Sequence, residues 1–93
     1  MIIANVRLTI DPTKREEYLA FIDELVSKSL KDEGNKLYAH FQDTHYENQY
    51  LILEHWETQE DLDKHSQTQH LVKFQNHIGD YVTQEPEILF LNK

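Results

Sequence analysis

The sequence predicts an α+β sandwich of the ferredoxin-like, split βαβ type, in which helices pack on one antiparallel sheet. Apolar residues alternate with polar ones in four segments and follow helical spacing in three others, in the order β-α-β-β-α-α-β. The chain has 93 residues with two glycines and two prolines, and it shows no linker, repeat or low-complexity stretch. Residues 1–93 are therefore expected to form a single domain.

The first strand is predicted from Ile2 to Ile10, because its side chains alternate in polarity from one face to the other. A helix is predicted to follow from about Lys14 to Glu33. Thr13 and Glu16 match the spacing of a capping box at its start, and Gly34 suits the position after its end.

The remainder of the chain is predicted to hold three further strands and two shorter helices. Thr58 and Thr68 each precede a helical segment and are suited to cap it. The strands run from Lys36 to Thr44, Gln49 to Glu57 and Glu87 to Leu91, and the helices from Gln59 to Ser66 and Gln69 to Val82.

The second face of the predicted sheet is left uncovered once the helices occupy the first. Its apolar residues are expected to be Ile3, Tyr38, Tyr50, Ile52, Trp56 and either Ile88 and Phe90 or Leu89 and Leu91. Its polar residues are expected to be Asn5, Arg7, His40, Gln42 and Glu54. Monomers seldom expose a large apolar patch. We therefore expect a homodimer in which a second copy covers this face and encloses a cavity.

Composition excludes several classes of function. Nine basic against 17 acidic residues give a net charge of −8, which disfavours nucleic acid and anionic membrane surfaces as partners. The absence of cysteine excludes disulfides, cysteine-bound metals and thiol nucleophiles. No secretory signal or membrane-spanning segment is visible, so a cytoplasmic location is expected.

Two residues are candidates for proton transfer. Glu54 lies two positions before Trp56 on one strand face, where an apolar cavity raises the pKa of a carboxyl group. The alternative for Glu54 is a structural ion pair with Arg7. His70 lies near the start of the last helix, where the helix dipole favours the neutral ring, and its alternative is a solvent-exposed position.

Metal binding is not expected from the spacing of the histidines. His65 and His70 are five residues apart with a helix break between them, whereas a helical zinc pair is four apart. We therefore predict neither a metal nor another cofactor.

The segment Glu54-His55-Trp56-Glu57-Thr58 is followed by Leu62, His65, Thr68 and His70, which gives the pattern E-x-W-E-[ST]-x3-L-x2-H-x2-T-x-H. This pattern resembles the antibiotic biosynthesis monooxygenase family, in particular its small quinol-monooxygenase-like members. The likeness extends to the Asn at position 5 and to the segment from Lys31 to Asn35.

The resemblance implies a dimeric α+β barrel that oxygenates hydroxylated aromatics with O2 and without metal or flavin. It matches Asn5 and Trp56 to pocket residues and His65 and His70 to the histidines of the motif. We thus expect a cofactor-independent monooxygenase acting on a quinol. Its expected catalytic residues are His70, Glu54 and Asn5, and its substrate-binding residues are Trp56, His65, Tyr38 and His40.

Three alternatives remain open at this point. One branch of the family isomerises a phosphorylated dione from quorum-signal breakdown. A second degrades heme through an axial histidine, but Gln75 stands at the corresponding position of this chain. The third is a dimeric barrel that binds a ligand without turnover.

Overall fold

The computed structural model describes residues 1–93 and has the predicted order of elements. The strands form one antiparallel sheet in the order β2-β3-β1-β4, which is the ferredoxin-like arrangement. The predicted fold class is confirmed. The strands are β1 (Ile2–Thr9), β2 (Asn35–Gln42), β3 (Gln49–Trp56) and β4 (Glu87–Asn92), and the helices are α1 (Arg15–Ser29), α2 (Gln59–His65) and α3 (Gln69–His77).

Helix α1 is shorter at both ends than predicted. The Asp11 carboxylate accepts the N–H of Thr13 at 2.9 Å and starts a 3₁₀ turn, so the capping box expected at Thr13 does not form. The helix ends at Ser29, and the chain then turns until Gly34. Gly34 has a φ of 77°, which glycine adopts without the steric cost of a Cβ atom.

The predicted caps of α2 and α3 are confirmed. The Thr58 hydroxyl accepts the N–H of Asp61 at 3.1 Å, and the Thr68 hydroxyl accepts that of Leu71 at 3.3 Å. Helix α3 ends at His77 rather than at residue 82, because a 3₁₀ turn follows it. The connection between α2 and α3 is short, so the end of α2 lies beside the start of α3. None of the helices has the length and apolar content needed to cross a membrane.

The assignment of residues to the two sheet faces differs from the prediction. In the observed register Ala4 lies opposite Glu54, and Glu54 lies opposite Tyr38. Residues directly opposite each other point to the same face. Tyr38, Glu54 and Trp56 therefore share the face of Ala4, under the helices, and the prediction that they line the uncovered face is wrong. Alternation within each strand was correct, but it does not specify which faces of neighbouring strands coincide.

The core lies between the sheet and the helices. Its buried side chains include Ile2, Val6, Leu8, Tyr50, Ile52 and Trp56 from the sheet, and Tyr18, Ile22, Leu25, Phe74 and Ile78 from helical segments. Tyr50 and Ile52 were predicted to be uncovered, and they are instead 4% and 1% exposed.

The opposite surface, called the open face below, carries no helix. The register places on it Ile3, Asn5, Arg7, Leu37, Ala39, Phe41, Leu51, Leu53, His55, Leu89 and Leu91. Phe41, Leu89 and Leu91 are about half exposed, at 51%, 54% and 47%. An uncovered apolar face exists as predicted, but most of its residues differ from those expected.

Candidate functional site

A cavity of about 530 Å³ lies between the helix-covered sheet face and helices α2 and α3. Its walls are predominantly apolar, with Ile88 and Phe90 of β4 on the outer side. Both are more than half exposed, so this side of the cavity is formed by a strand at the sheet edge. The polar groups of the lining include Tyr38, Glu54 and His65. An apolar cavity with a few converging polar groups is typical of a small-molecule site.

Glu54 is a buried carboxyl group beside this cavity, with 5% of its surface exposed. The indole N–H of Trp56 donates to its Oε1 atom at 3.0 Å. Burial raises the pKa of Glu54 to about 7, although the Trp56 N–H and the Tyr38 hydroxyl lower it in part. Glu54 is not paired with Arg7, which lies on the open face and contacts Glu87 at 3.7 Å.

Asp32 joins the two histidines of the sequence motif. Its Oδ2 atom lies 2.7 Å from Nδ1 of His65 and 2.8 Å from Nε2 of His70. The three side chains come from the turn after α1, the end of α2 and the start of α3. Because an ionised carboxylate can only accept, both rings donate an N–H to it.

His65 is the buried member of this cluster, with 2% of its surface exposed. Its ring lies against the Trp56 indole, with centroids 4.5 Å apart, and against Tyr38 at 5.6 Å. Burial lowers the pKa of His65, and the Asp32 carboxylate opposes this effect. The Nε2 atom has no hydrogen-bond partner in the protein and lies 3.9 Å from Oε1 of Glu54.

The structure separates the sequence-predicted site residues into two groups. Tyr38, Glu54, Trp56, His65 and His70 come together beside the cavity.

Asn5 and His40 do not join them. Asn5 lies on the open face, because it is opposite Leu53 and not Glu54, so its placement in the pocket was wrong. His40 is on the helix-covered face but nearer the other end of the strand, where its Nε2 lies 2.7 Å from the Tyr18 hydroxyl oxygen.

Asp32 is the residue that sequence reasoning missed. It was noted only as part of the segment from Lys31 to Asn35 and was given no role. The sequence does show that Asp32 lies in a turn that follows a helix and ends at a glycine. The residues around it do not indicate that this turn contacts α2 and α3. That contact is a property of the tertiary structure.

Asp32, His65 and His70 also offer one ligand atom each within 4.8 Å of one another, a spacing that a metal ion could use. The sequence spacing had not indicated such a cluster, because the two histidines meet across a turn rather than along one helix. The observed separations of 2.7 and 2.8 Å are those of charge-assisted hydrogen bonds. Hydrogen bonding therefore accounts for the geometry of the cluster.

Comparison with known proteins decides the family. Residues 1–77 match the family model described as "ABM: Antibiotic biosynthesis monooxygenase". The chain belongs to this family. Over 74 residues it is 34% identical to the Bacillus subtilis (strain 168) protein named "Putative monooxygenase YcnE", and the match covers 80% of this chain and 78% of that protein.

Solved structures agree with the family in fold. A conserved protein from Methanosarcina mazei Go1 has a TM-score of 0.95 at 24% identity, with 99% of this chain and 91% of that one covered. A Bacteroides thetaiotaomicron VPI-5482 protein, described as a conserved protein of unknown function and possible oxidoreductase, has a TM-score of 0.89 at 28% identity, with 97% of this chain and 94% of that one covered. Family membership and the name of the Bacillus subtilis relative support a general monooxygenase-like role.

Proposed function

We propose that this family member is a cofactor-independent monooxygenase that binds a quinol or related hydroxylated aromatic in the cavity and oxygenates it with O2. The observation that carries the proposal is the buried pair of Glu54 and His65, which face each other across 3.9 Å beside an apolar cavity. One member of this pair is an imidazole with a free acceptor, and the other is a carboxyl group whose pKa lies at about 7.

The proton step follows from this pair. A substrate hydroxyl placed beside Nε2 of His65 gives its proton to that atom, and the Asp32 carboxylate stabilises the imidazolium that forms. Glu54 in its protonated form donates a hydrogen bond to the phenolate oxygen. Its Oε1 atom already accepts from Trp56, which leaves Oε2 to carry the acidic proton.

These roles differ from those that the sequence suggested. His70 had been the histidine expected to accept the proton, but its Nε2 is engaged by Asp32, so we place His70 behind the carboxylate as a support. Asn5 had been expected to stabilise the anionic oxygen, but it lies on the open face. In this proposal Glu54 takes that role.

The substrate itself supplies the electrons for the reaction. Deprotonation makes the ring electron-rich enough to transfer an electron to O2, and the two resulting radicals combine. For a naphthohydroquinone with a free ring position, one oxygen atom enters the ring as a hydroxyl and the other leaves as water. The product is the hydroxynaphthoquinone, and atoms and electrons balance without an external reductant. An apolar cavity keeps bulk water away from the intermediate.

The charge of the lining distinguishes this substrate class from a phosphorylated dione. Glu54 and Asp63 line the cavity, and neither lysine nor arginine does. A phosphate group requires cationic or other strong donor groups. The cavity therefore favours an uncharged aromatic over the substrate of the isomerase alternative.

Oxygen uptake with a panel of reduced naphthoquinols tests the proposal. Isotopically labelled O2 should place one labelled atom in the product, and uptake should exceed that of the protein-free autoxidation control. The His45→Ala variant is a matched control, because His45 lies exposed in the turn between β2 and β3. Isomerisation of a phosphorylated dione without O2 uptake would favour the alternative, and saturable binding without turnover would indicate a binding protein.

We also propose that the open face is the contact surface of a homodimer. Most of its residues are apolar, and β4 exposes Leu89 and Leu91 at the edge of the sheet. A second copy of the same face would cover it in an isologous contact. The dimer surface predicted from Tyr50, Ile52 and Trp56 is excluded, because these residues are buried in the core.

Sedimentation equilibrium tests the dimer at micromolar concentration. The wild type should have twice the chain mass of 11.2 kDa, and Leu89→Glu should sediment as a monomer. Val72→Glu is the matched control, since Val72 is 41% exposed on α3 and should leave the dimer intact. A monomeric wild type, or equal dissociation of both variants, contradicts the proposed surface.

A further inference from the structure

The hydrogen bond between His65 and Asp32 determines which ring nitrogen of His65 carries the proton. Its Nδ1 atom lies 2.7 Å from an oxygen of Asp32, and a carboxylate offers lone pairs but no proton. Nδ1 therefore carries the ring hydrogen. A neutral imidazole has only one N–H, which makes Nε2 the acceptor.

We propose that Asp32 is a positioning residue that fixes His65 in the Nδ1–H tautomer, so that the cavity recognises its ligand through an O–H group donated to Nε2. This inference rests on the proposed function and identifies the hydroxyl as the substrate group that the site recognises. The expected ligands are aromatics with a free hydroxyl. Aromatic ethers of the same shape are not expected to bind as well, because they have no O–H to donate.

The cluster holds the Asp32 carboxylate from two sides. His70 donates a second N–H to the same oxygen at 2.8 Å, so neither ring can rotate without breaking a charge-assisted bond. The side chains of Asp32 and His70 are 16% and 13% exposed, so water has limited access to these bonds. His70 therefore limits the movement of Asp32 while Asp32 orients His65.

Selectivity for a hydroxyl follows from the burial of the acceptor. Nε2 of His65 has no partner in the protein, and the residue is 2% exposed. A ligand whose hydroxyl reaches this atom supplies the missing donor, whereas a ligand without a donor leaves the atom unpaired. Sites built to bond a hydroxyl reject analogues that lack it, and we expect a preference of at least about tenfold.

The tautomer can be measured without any ligand. A long-range ¹H–¹⁵N spectrum of the histidine rings separates Nδ1–H from Nε2–H forms, and wild-type His65 should show the Nδ1–H form. Asp32→Ala removes the acceptor of Nδ1, so the ring proton should move to Nε2, the form that an unconstrained neutral histidine favours; the same spectrum shows whether the variant is folded. Glu60→Gln is the control, since Glu60 is 78% exposed, lies outside the cavity lining and bonds no imidazole. It should keep the wild-type tautomer.

Ligand preference is measured by calorimetry with naphthol and its methyl ether, which share the ring and differ in the hydroxyl proton. Wild type and Glu60→Gln should prefer naphthol by at least about tenfold, and Asp32→Ala should lose most of that preference. An Nε2–H tautomer in the wild type, equal binding of naphthol and ether, or an equal effect of both variants overturns the inference. Failure of O2 uptake with these binding results intact overturns only the proposed oxygenation.

Discussion

Two histidines on the helix-covered face, the buried His65 and the partly buried His40, show what makes such a residue available for chemistry. Burial lowers the pKa of both rings, so each is held in its neutral form. Nε2 of His40 lies 2.7 Å from the Tyr18 hydroxyl, and its ring stacks on Tyr50 with an interplanar angle of 4°. His65 contacts a carboxylate through Nδ1 and has an unpartnered Nε2 near the cavity.

The two rings differ in their hydrogen-bond partners. Burial raises the pKa of Tyr18 well above its ordinary value, so this phenol stays protonated, and its hydrogen bond occupies Nε2 of His40 whichever of the two groups donates. A carboxylate takes the N–H of His65 and leaves its acceptor free. A buried histidine thus becomes a candidate base when its partner is an acceptor and a cavity adjoins its other nitrogen.

The largest expected effect is the difference in activity between variants of His65 and variants of His40. His65→Gln should lower kcat about 10²–10⁴-fold, as removal of a general base does, whereas His40→Gln should stay within about threefold of wild type. Oxygen uptake at saturating quinol measures both. If His70→Gln loses more activity than His65→Gln, the proton acceptor is His70 and the proposed assignment is wrong.

The pH dependence of stability tests the environment of Glu54. Its folded-state pKa is raised from 4.5 to about 7, so its contribution to stability is complete below pH 4.5 and is lost as the pH rises through 7. The corresponding change in the free energy of unfolding is about 3 kcal/mol. The lowered pKa values of His40 and His65 cause an opposite change over the same pH range, which the wild type and Glu54→Gln share. Urea unfolding at pH 5 and pH 8 should therefore show the loss as a decrease in the stability of the wild type relative to Glu54→Gln.

The matched control is Glu60→Gln, because the Glu60 side chain is 78% exposed and should leave the wild-type profile unchanged. Activity should follow the same group: the proposed role needs the protonated carboxyl, so kcat should fall as the pH rises above about 7. An activity that rises through pH 7 would show that Glu54 acts as the base instead.

The smallest expected effect concerns His40 and its hydrogen bond to Tyr18. Tyr18→Phe removes the hydroxyl that bonds Nε2 of His40 and leaves that nitrogen without its partner, which should lower the free energy of unfolding by about 1–3 kcal/mol. Oxygen uptake should stay at the wild-type level. Urea unfolding measures the loss, with Tyr46→Phe, 66% exposed, as the control. A loss of activity in Tyr18→Phe would remove the distinction between the two histidines.

Much of the fold was predictable because it is specified locally. Alternation located the strands, and Thr58 and Thr68 located the starts of α2 and α3 within a residue. The faces were not predictable, because register depends on how strands pair and a shift of one residue exchanges the two faces. This is why Asn5 was placed on the same face as Glu54, although the residue opposite Glu54 is Ala4.

The candidate site was predictable in its residue types and not in its geometry. Glu54 and Trp56 were grouped correctly, since residues two apart on one strand point the same way and their bond confirms it. His70 was expected to be catalytic and His65 to bind the substrate, because His70 lies near the start of a helix. The structure instead shows Asp32 between the two rings, and this contact joins residues 33 and 38 positions apart. No local pattern contains such a contact.

Gly34 has a consequence for how this site can change during evolution. A Cβ atom at position 34 would overlap the Asp61 carboxylate, which is itself held by the Thr58 hydroxyl at 2.9 Å. The turn that carries Asp32 therefore rests directly on the first turn of α2, and His65 lies at the other end of that helix. Substitutions at positions 34 and 61 can change the separation of Asp32 and His65 while every residue that lines the cavity stays the same. Divergence in chemistry can thus begin at a backbone contact outside the substrate's reach.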